Sequence, residues 1–280
     1  MKIIIHGGFF SESSQSMETK IAKQNALRHI ISLSYDYLMT HSALETVAFA
    51  VEQLENDILF NAGIGSQIQS DGKIRMSASI MDGVSIKFSG VINIENVKNP
   101  IRVAEKLFNT EDRVLGGEGA TKFAYANNFD FFNPEIPQRR KEYEAKLGSR
   151  SLGTVGCVAL DSNGNIAAAT STGGKGFEVP GRISDSATAA GNYANQFCGV
   201  SCTGIGEDIV SAAVATKIVT RVTDGFSIEK SFEKTFAELK AIDGFAGAIA
   251  IDNKGTIFHL DSHPSMVYAS FDGTTVDVFQ

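Results

Sequence analysis

Residues 153–172 read GTVGCVALDSNGNIAAATST. Two runs of small and β-branched residues, 154–160 and 166–172, flank a turn at 161–165 that contains Asn163-Gly164. An Asn-Gly pair between two such runs is a strong short-range signal for a β-hairpin. This stretch therefore predicts a hairpin at the start of the second half of the chain.

The segment before the hairpin has a different composition. Pro134 and Pro137 interrupt any regular pattern, and residues 138–150 carry five basic and two acidic side chains in an otherwise acidic protein. Prolines and an excess of charge are typical of exposed connecting segments. The sequence therefore predicts a mobile linker over about residues 131–153.

Hydrophobic periodicity on either side of this linker predicts paired helices and paired strands. Before the linker, the predicted strands are 2–5, 74–80 and a pair within 86–92 at which Gly90 marks a bulge or a close approach, and the predicted helices are 18–38, 42–57, one beginning at 99–100, and 117–128. After the hairpin, the predicted helices are 207–222 and 227–242, and the last predicted strands are 245–251 and 256–260. Helices outside two packed sheets would bury all of these apolar faces. We therefore predict a layered α/β (α+β) fold, a four-layer αββα sandwich, in a single domain of residues 1–280.

Composition excludes several classes of function. The 280 residues include 25 Lys and Arg against 32 Asp and Glu, a net charge of −7. This balance argues against nucleic acid and anionic membranes as partners, because both require a basic surface. The opening MKIII is too short for a signal peptide, and no apolar run approaches the ~18 residues of a membrane span. The first 150 residues contain no cysteine, so no disulfide framework joins the two halves, and we expect a cytoplasmic protein.

Residues able to carry chemistry are concentrated after the linker. The chain has no G-x-x-x-x-G-K-[ST], G-x-S-x-G, H-E-x-x-H or C-x-x-C pattern, so nucleotide, serine-hydrolase and zinc sites lack their first residues. The five histidines have no ligand spacing, and we expect them to be structural or exposed. Four blocks rich in Thr, Gly, Arg and Asp remain: GTVG at 153–156, TSTGG at 170–174, GRISD at 181–185 and CTGIGE at 202–207.

The Gly153-Thr154 pair has a chemical interpretation of its own. A threonine inside a chain is a poor nucleophile, but cleavage of the bond before it leaves an α-amine of pKa about 7.7–8.0 beside its hydroxyl, a built-in general base. Gly153 would leave its carbonyl open to attack by the Thr154 hydroxyl. Cleavage there would give an α chain of residues 1–153 and a β chain of residues 154–280. A buried threonine in a strand explains the same two residues without any chemistry.

Arg182 and Asp185 also allow two interpretations. A guanidinium binds an α-carboxylate through two hydrogen bonds and a carboxylate accepts from an α-ammonium, so the pair matches an amino-acid zwitterion. A solvated ion pair of small energetic value is the alternative.

The four blocks, in this order, resemble the plant-type asparaginase and isoaspartyl peptidase family of N-terminal-nucleophile hydrolases. Further matches precede the linker: HGG at 6–8, FNAGIGS at 60–66, ASIMDG at 78–83, NPI at 99–101 and GEGA at 117–120. The resemblance covers nearly the whole chain. It implies an N-terminal-nucleophile αββα fold, self-cleavage at Gly153-Thr154, and hydrolysis of β-aspartyl bonds in L-asparagine and isoaspartyl dipeptides by Thr154.

The same resemblance implies a role for each remaining site residue. Thr172 would orient Thr154, Asn61 matches a family residue at the nucleophile, and the Thr203 hydroxyl and Gly204 N–H would form an oxyanion hole. Arg182 and Asp185 would bind the α-carboxylate and α-ammonium of the substrate, with Gly204 and Gly206 assisting. No cofactor takes part in catalysis. Family members form homodimers of αβ units, and a structural sodium ion would be bound by the backbone carbonyls of Leu54, Glu55, Asp57, Phe60, Ala62 and Ile64.

Departures from the family pattern keep alternatives open. Phe9-Phe10 replaces part of a glycine-rich loop tied to self-cleavage, and Ser184 replaces a glycine before the binding Asp185. An uncleaved, catalytically idle homologue that acts as a binding protein is therefore one alternative. A glycosylasparaginase-like amidase is another, although that group carries Asp where this chain has Gly153. A threonine endopeptidase is disfavoured because that branch lacks the binding Asp.

Overall fold

The predicted hairpin lies at the centre of the larger of two β-sheets. A computed structural model describes residues 1–10, 16–145, 153–263 and 265–280. The strands are β1 (Lys2–Phe9), β2 (Met76–Asp82), β3 (Lys87–Ile94), β4 (Val114–Gly116), β5 (Val155–Leu160), β6 (Ile166–Thr172), β7 (Asn192–Ala194), β8 (Cys198–Gly204), β9 (Ala246–Asp252), β10 (Ile257–Asp261), β11 (Met266–Phe271) and β12 (Val276–Val278). The helices are α1 (Met17–Leu38), α2 (Ala43–Glu55), α3 (Pro100–Leu107), α4 (Gly117–Ala126), α5 (Pro137–Glu144), α6 (Gly206–Ala212), α7 (Val214–Thr223) and α8 (Ile228–Lys240).

These elements form four layers. In the described ranges the larger sheet has the order β12-β11-β1-β5-β6-β2-β3-β4, and the smaller has the order β10-β9-β8-β7. Helices α1, α2 and α3 pack on the larger sheet, α6, α7 and α8 pack on the smaller one, and β5 and β6 contact β8 between the sheets. Three buried apolar clusters fill the spaces between successive layers. The structure thus confirms the predicted αββα sandwich.

Register within the hairpin aligns its two open ends. Strand β5 pairs with β6 in antiparallel register from Val155 opposite Ser171 to Leu160 opposite Ile166. Strand β1 covers the other edge of β5, with His6 opposite Gly156. Thr154 precedes the first of these pairs and Thr172 follows it, so the pairing brings the two threonines to the same end of the sheet.

The segment predicted as a mobile linker contains the helix α5. Pro137 opens this helix at a position where its missing N–H costs no hydrogen bond. The helix is docked by polar contacts: Arg139 Nε donates to the Gly65 carbonyl over 3.0 Å, and the Tyr143 hydroxyl donates to the Ser70 carbonyl over 3.2 Å. No residue of α5 is fully buried, so it has no apolar stripe for a periodicity search to find. Residues 146–152 of the predicted linker lie outside the described residues.

Elsewhere the predicted elements agree with the structure only in part. The predicted helix 207–222 is two helices, because Ala213 has φ +49° and ψ +47°, in the left-handed region. Gly90 lies within β3, where a Cβ would come 3.0 Å from the Ala78 carbonyl, so it marks a close approach while the register shift falls elsewhere in the pair. Strands β11 and β12 were not predicted, and β11 pairs with β1, at the opposite end of the chain.

No helix in the described ranges combines the length and the apolarity needed to cross a membrane.

The break at Ala213 generates a stability prediction. The left-handed conformation costs an L-residue about 1–2 kcal/mol, which exceeds the entropy that glycine adds to the unfolded chain. We expect Ala213→Gly to raise the free energy of unfolding by about 0.5–1 kcal/mol in urea denaturation. Ala237→Gly, at an exposed position inside α8, is the control and should lower it by about 1 kcal/mol. Equal losses in both variants would contradict the argument.

Candidate active site

A cavity of about 290 Å³ opens where β5, β6 and β8 end. Its wall includes the predicted cleavage-site residues Gly153 and Thr154 as well as Thr172, Arg182, Asp185, Gly204 and Gly206. The structure therefore brings together most of the predicted site residues. In the sequence, the first and the last of these cavity residues, Gly153 and Gly206, are 53 positions apart. A volume of this size suits a small polar ligand.

The two threonines form a hydrogen-bonded pair in this cavity. The Thr154 hydroxyl donates to the Thr172 hydroxyl over 3.1 Å, and the Gly174 N–H donates to Thr172 Oγ1 over 3.2 Å. Asn61 acts one step further away: its Nδ2 donates to the Gly174 carbonyl and its Oδ1 accepts from the Gln67 N–H. Asn61 thus holds the turn that orients Thr172, and Thr172 in turn orients Thr154.

A buried polar network lies behind Thr154. His6 Nδ1 donates to the Thr154 carbonyl over 3.1 Å, since a carbonyl can only accept, and His6 Nε2 therefore accepts from Ser201 Oγ over 2.9 Å. Ser201 Oγ in turn accepts from Thr170 Oγ1 over 2.7 Å. Burial lowers the pKa of His6 from 6.5 to about 3, so the ring is neutral at physiological pH. Sequence spacing gave His6 no role beyond a structural one, although it lies in the matched HGG block.

Side chains of opposite charge also line the cavity. Arg182 donates from Nε and Nη2 to the two carboxylate oxygens of Glu207, over 2.8 and 2.9 Å. This pairing lowers the pKa of Glu207 to about 2. The Nη1 edge of the guanidinium is not used in this fork and can still receive a second carboxylate. Sequence analysis did not assign Glu207 a role, because an ion pair 25 residues apart has no local signal.

Asp185 is buried beside this pair. Only 2% of the residue is exposed, and its Oδ2 has no hydrogen-bond partner among the described residues. Burial raises the pKa of Asp185 to about 7, against the opposing effect of Arg182. A buried carboxylate oxygen without a partner is costly, and a cationic ligand group would satisfy it.

The predicted oxyanion-hole residues lie at the end of β8. Thr203 is fully buried, and within the described chain its hydroxyl has no partner. Gly204 has φ +135°, and a Cβ there would come 2.5 Å from the Phe245 carbonyl, so only glycine fits. A Cβ at Gly206 would come 2.8 Å from Arg182 Nη2 and 2.9 Å from Asp185 Oδ1. Glycine at both positions keeps the wall open.

The departure at Phe9-Phe10 does not fill this cavity. The Phe9 ring contacts the Phe245 ring with centroids 4.5 Å apart, and Phe10 is 5% exposed within the core beneath the larger sheet. Ser184, the second departure, caps a short turn by accepting from the Ser186 N–H. Phe9-Phe10 is therefore accommodated by packing outside the cavity, whereas Ser184 is part of the cavity wall.

The predicted sodium loop has the donor set that such an ion needs. A Cβ at Gly63 would come 2.3 Å from the Glu55 carbonyl, and one at Gly65 would come 1.9 Å from the Phe60 carbonyl, so glycine leaves these oxygens uncovered. The Asp57 and Ala62 carbonyls each accept one backbone N–H, which leaves each a second lone pair, whereas the Leu54 carbonyl accepts from both Asn56 and Asp57. Neutral carbonyl oxygens suit a hard monovalent cation.

The neutral state of His6 generates a pH prediction. Between pH 6.5 and about 3 the unfolded chain binds a proton at His6 that the folded chain does not, so folding stability falls as pH falls through this window. We expect the melting temperature of His6→Asn to fall less than that of the wild type when the pH is lowered from 7 to 5. His29→Asn, at an exposed position on α1, is the control and should keep the wild-type slope. Equal slopes in all three proteins would contradict a neutral His6.

Comparison with known proteins gives one consistent result. The family model described as asparaginase matches residues 1–279. An isoaspartyl peptidase/L-asparaginase of Synechocystis sp. is 41% identical over 98% of this chain and 89% of that protein. One of Nostoc sp. is 43% identical over 91% of this chain and 87% of its own length, and a plant-type L-asparaginase of Pyrococcus abyssi is 34% identical over 95% of each. The resemblance drawn from the sequence blocks is confirmed, and the chain belongs to the asparaginase family of hydrolases.

Proposed function

We propose that this protein hydrolyses β-aspartyl bonds, in L-asparagine and in isoaspartyl dipeptides, with Thr154 as an N-terminal nucleophile. The observation that carries the proposal is that the Thr154–Thr172 hydroxyl pair lines the same small cavity as Arg182 and Asp185, whose Oδ2 has no partner in the described chain. Relatives named isoaspartyl peptidase/L-asparaginase support it. An idle homologue is less well supported, because the cavity holds both a nucleophile and a complementary site for the substrate.

Substrate binding follows from the charges. The α-carboxylate would bind the free Nη edge of Arg182, while Glu207 keeps the opposite edge oriented. The α-ammonium would bind Asp185 Oδ2 and return that carboxyl to its charged form. A substrate held by its α-groups at one end of the cavity presents its β-carbonyl at the other end, towards Thr154.

Bond cleavage then uses the groups around Thr154. Its Oγ1 attacks the β-carbonyl, and its own α-amine accepts the hydroxyl proton. The Thr203 hydroxyl and the Gly204 N–H stabilise the oxyanion that forms. Collapse of the tetrahedral intermediate expels ammonia or the amine of the leaving residue, which takes the proton. Water then hydrolyses the β-aspartyl ester and releases aspartate.

Self-cleavage would create this nucleophile. Before cleavage, Thr154 Oγ1 attacks the Gly153 carbonyl, and the C–N bond between the two residues breaks to leave an ester and a free Thr154 amine. Water then hydrolyses the ester and releases the Gly153 carboxylate and the Thr154 hydroxyl. Thr172 orients the hydroxyl, and His6 fixes the Thr154 carbonyl on the other side. The buried hydrogen bonds on both sides of Thr154 support this step, since they restrict the hydroxyl to one direction.

Three further features are proposed on the family resemblance. The cleaved units would pair as a homodimer, the carbonyl loop around Gly63 would hold a structural sodium ion, and the protein would act in the cytoplasm. The acidic charge and the absence of a basic surface stripe support a small-molecule substrate over a nucleic acid.

Self-cleavage is tested with purified protein. We expect mass spectrometry to find a β chain that begins at Thr154, because only this hydroxyl is paired with Thr172 beside Gly153. Thr154→Ala should remain a single chain of 30.0 kDa, and Thr154→Ser should retain some processing because it keeps a hydroxyl. A fragment that begins elsewhere, or cleavage of Thr154→Ala, would refute the assignment.

The role of Arg182 is tested by separating turnover from self-cleavage. Arg182→Ala should still cleave itself, because the precursor bond needs no bound substrate, but kcat/KM for L-asparagine should fall by roughly 30- to 1000-fold. Arg182→Lys should recover little, since a point charge lacks the planar fork. A substrate with an amidated α-carboxylate is the control. For this substrate, Arg182→Ala should lower kcat/KM only slightly. Equal losses on both substrates would show that Arg182 supports the fold instead.

A further inference from the structure

One cation in the wall of the cavity has no part in the account above. Lys175 follows the turn that holds Thr172, and its Nζ donates to Glu207 Oε1 over 3.2 Å. We infer that Lys175 binds the second carboxylate of an isoaspartyl dipeptide, the one carried by the leaving residue. This inference rests on the proposed function and names the residue that separates the two substrate classes.

Counting charges in the cavity leads to this assignment. L-asparagine carries one carboxylate, and Arg182 is sufficient to bind it. An isoaspartyl dipeptide carries a second carboxylate, two bonds from the nitrogen of the scissile amide. The cavity wall offers two cations, Arg182 and Lys175, and two anions, Asp185 and Glu207. Glu207 is paired within the wall, where it orients Arg182, so Asp185 is the anion left for the single ammonium that both substrates share. Apart from Glu207, the wall therefore has two cations for the two carboxylates of the dipeptide and one anion for its ammonium.

The backbone places Lys175 on the side of the scissile bond. The Gly174 N–H, directly before it, donates to the Thr172 hydroxyl, which is 3.1 Å from Thr154 Oγ1. Gly174 has φ +81°, and a Cβ there would come 1.9 Å from Glu178 Oε1, so the turn that presents Lys175 requires glycine. A lysine stem extending from this point can reach a carboxylate attached to the leaving nitrogen.

The ammonium is also free to move. Its contact with Glu207 is a single one, and the Lys175 and Glu207 side chains are 41% and 50% exposed. Exposed ion pairs of this kind are weak. When the Lys175 ammonium moves away from Glu207, Glu207 keeps both hydrogen bonds from Arg182. The Arg182 side chain is only 14% exposed. Moving Lys175 to a substrate carboxylate therefore leaves no anion unpaired.

The test compares two substrates on one enzyme. The measured quantity is the ratio of kcat/KM for β-aspartyl-leucine to kcat/KM for L-asparagine. We expect Lys175→Met to lower this ratio by about 5- to 30-fold, the effect of losing one charged hydrogen bond. Lys175→Arg, which keeps the charge, should retain most of the wild-type ratio.

A matched control exists elsewhere on the surface. Lys217 donates to Glu238, which also binds Arg221, and the Lys217 and Glu238 side chains are 40% and 46% exposed. This Lys–Glu–Arg group does not line the cavity. It has the same arrangement as the group at Lys175, because in both a lysine and an arginine bind one glutamate. Lys217→Met should therefore leave the substrate ratio at its wild-type value, which separates a local contact from a general loss of positive charge.

A second arm requires no variant and stays informative if Lys175→Met fails to fold. The wild-type enzyme should hydrolyse β-aspartyl-leucine amide less efficiently than β-aspartyl-leucine, by about the factor that Lys175→Met costs, because the amide lacks the second carboxylate. Lys175→Met should show no further loss on the amide.

Each outcome has a distinct meaning. An unchanged ratio in Lys175→Met, or equal wild-type efficiency on the acid and the amide, would overturn the role of Lys175 while leaving the proposed hydrolase intact. Equal losses on asparagine and the dipeptide would place Lys175 at the α-carboxylate and would also overturn the inference. A cleaved wild-type protein that hydrolyses neither substrate would overturn the proposed function and this inference with it.

Discussion

The antiparallel register of β5 against β6 is the constraint on which the rest of the site depends. Because Val155 lies opposite Ser171, Thr154 and Thr172 meet just beyond the last pair, with their hydroxyls 3.1 Å apart. A slip of one residue would turn the side chains of either strand to the opposite face. Burial of both strands between the helical layer and the smaller sheet fixes this register, so the packing of the core positions Thr154.

The cavity is lined by two sets of side chains, one neutral and one charged. Around Thr154 the partners are hydroxyls, backbone groups and the neutral ring of His6, which orient Thr154 without adding charge. In the charged set, Arg182 and Asp185 can still bind a ligand because Glu207 occupies only one edge of the guanidinium and Asp185 Oδ2 has no partner in the described chain. A zwitterion would complete this charge pattern, whereas an uncharged ligand would leave Asp185 unsatisfied.

Structural elements could be predicted from the sequence where they depend on local sequence patterns. The hairpin and the αββα layering follow from turn residues and periodicity, and the structure confirms them. The break at Ala213 could not be found, because alanine favours helix and the left-handed turn is imposed by tertiary packing. Helix α5 was missed because polar contacts dock it, and β11 was missed because its partner is the first strand of the chain. At the site, the family resemblance predicted most of the residues that meet in the cavity. It did not predict the positions of Glu207 and Lys175 or the contacts of His6, because these depend on the tertiary structure.

The central claim is that Thr154 Oγ1 is the nucleophile that forms a covalent bond with the substrate. A trapped intermediate tests this claim most directly. Purified, cleaved protein would be mixed with β-aspartyl-leucine, quenched in acid within the first turnovers, and digested for mass spectrometry. The account predicts an added aspartyl group on the peptide that begins with Thr154, attached as an ester that hydroxylamine removes. An aspartyl group on any other residue, or turnover through which the Thr154 peptide remains unmodified at every quench time, would contradict it.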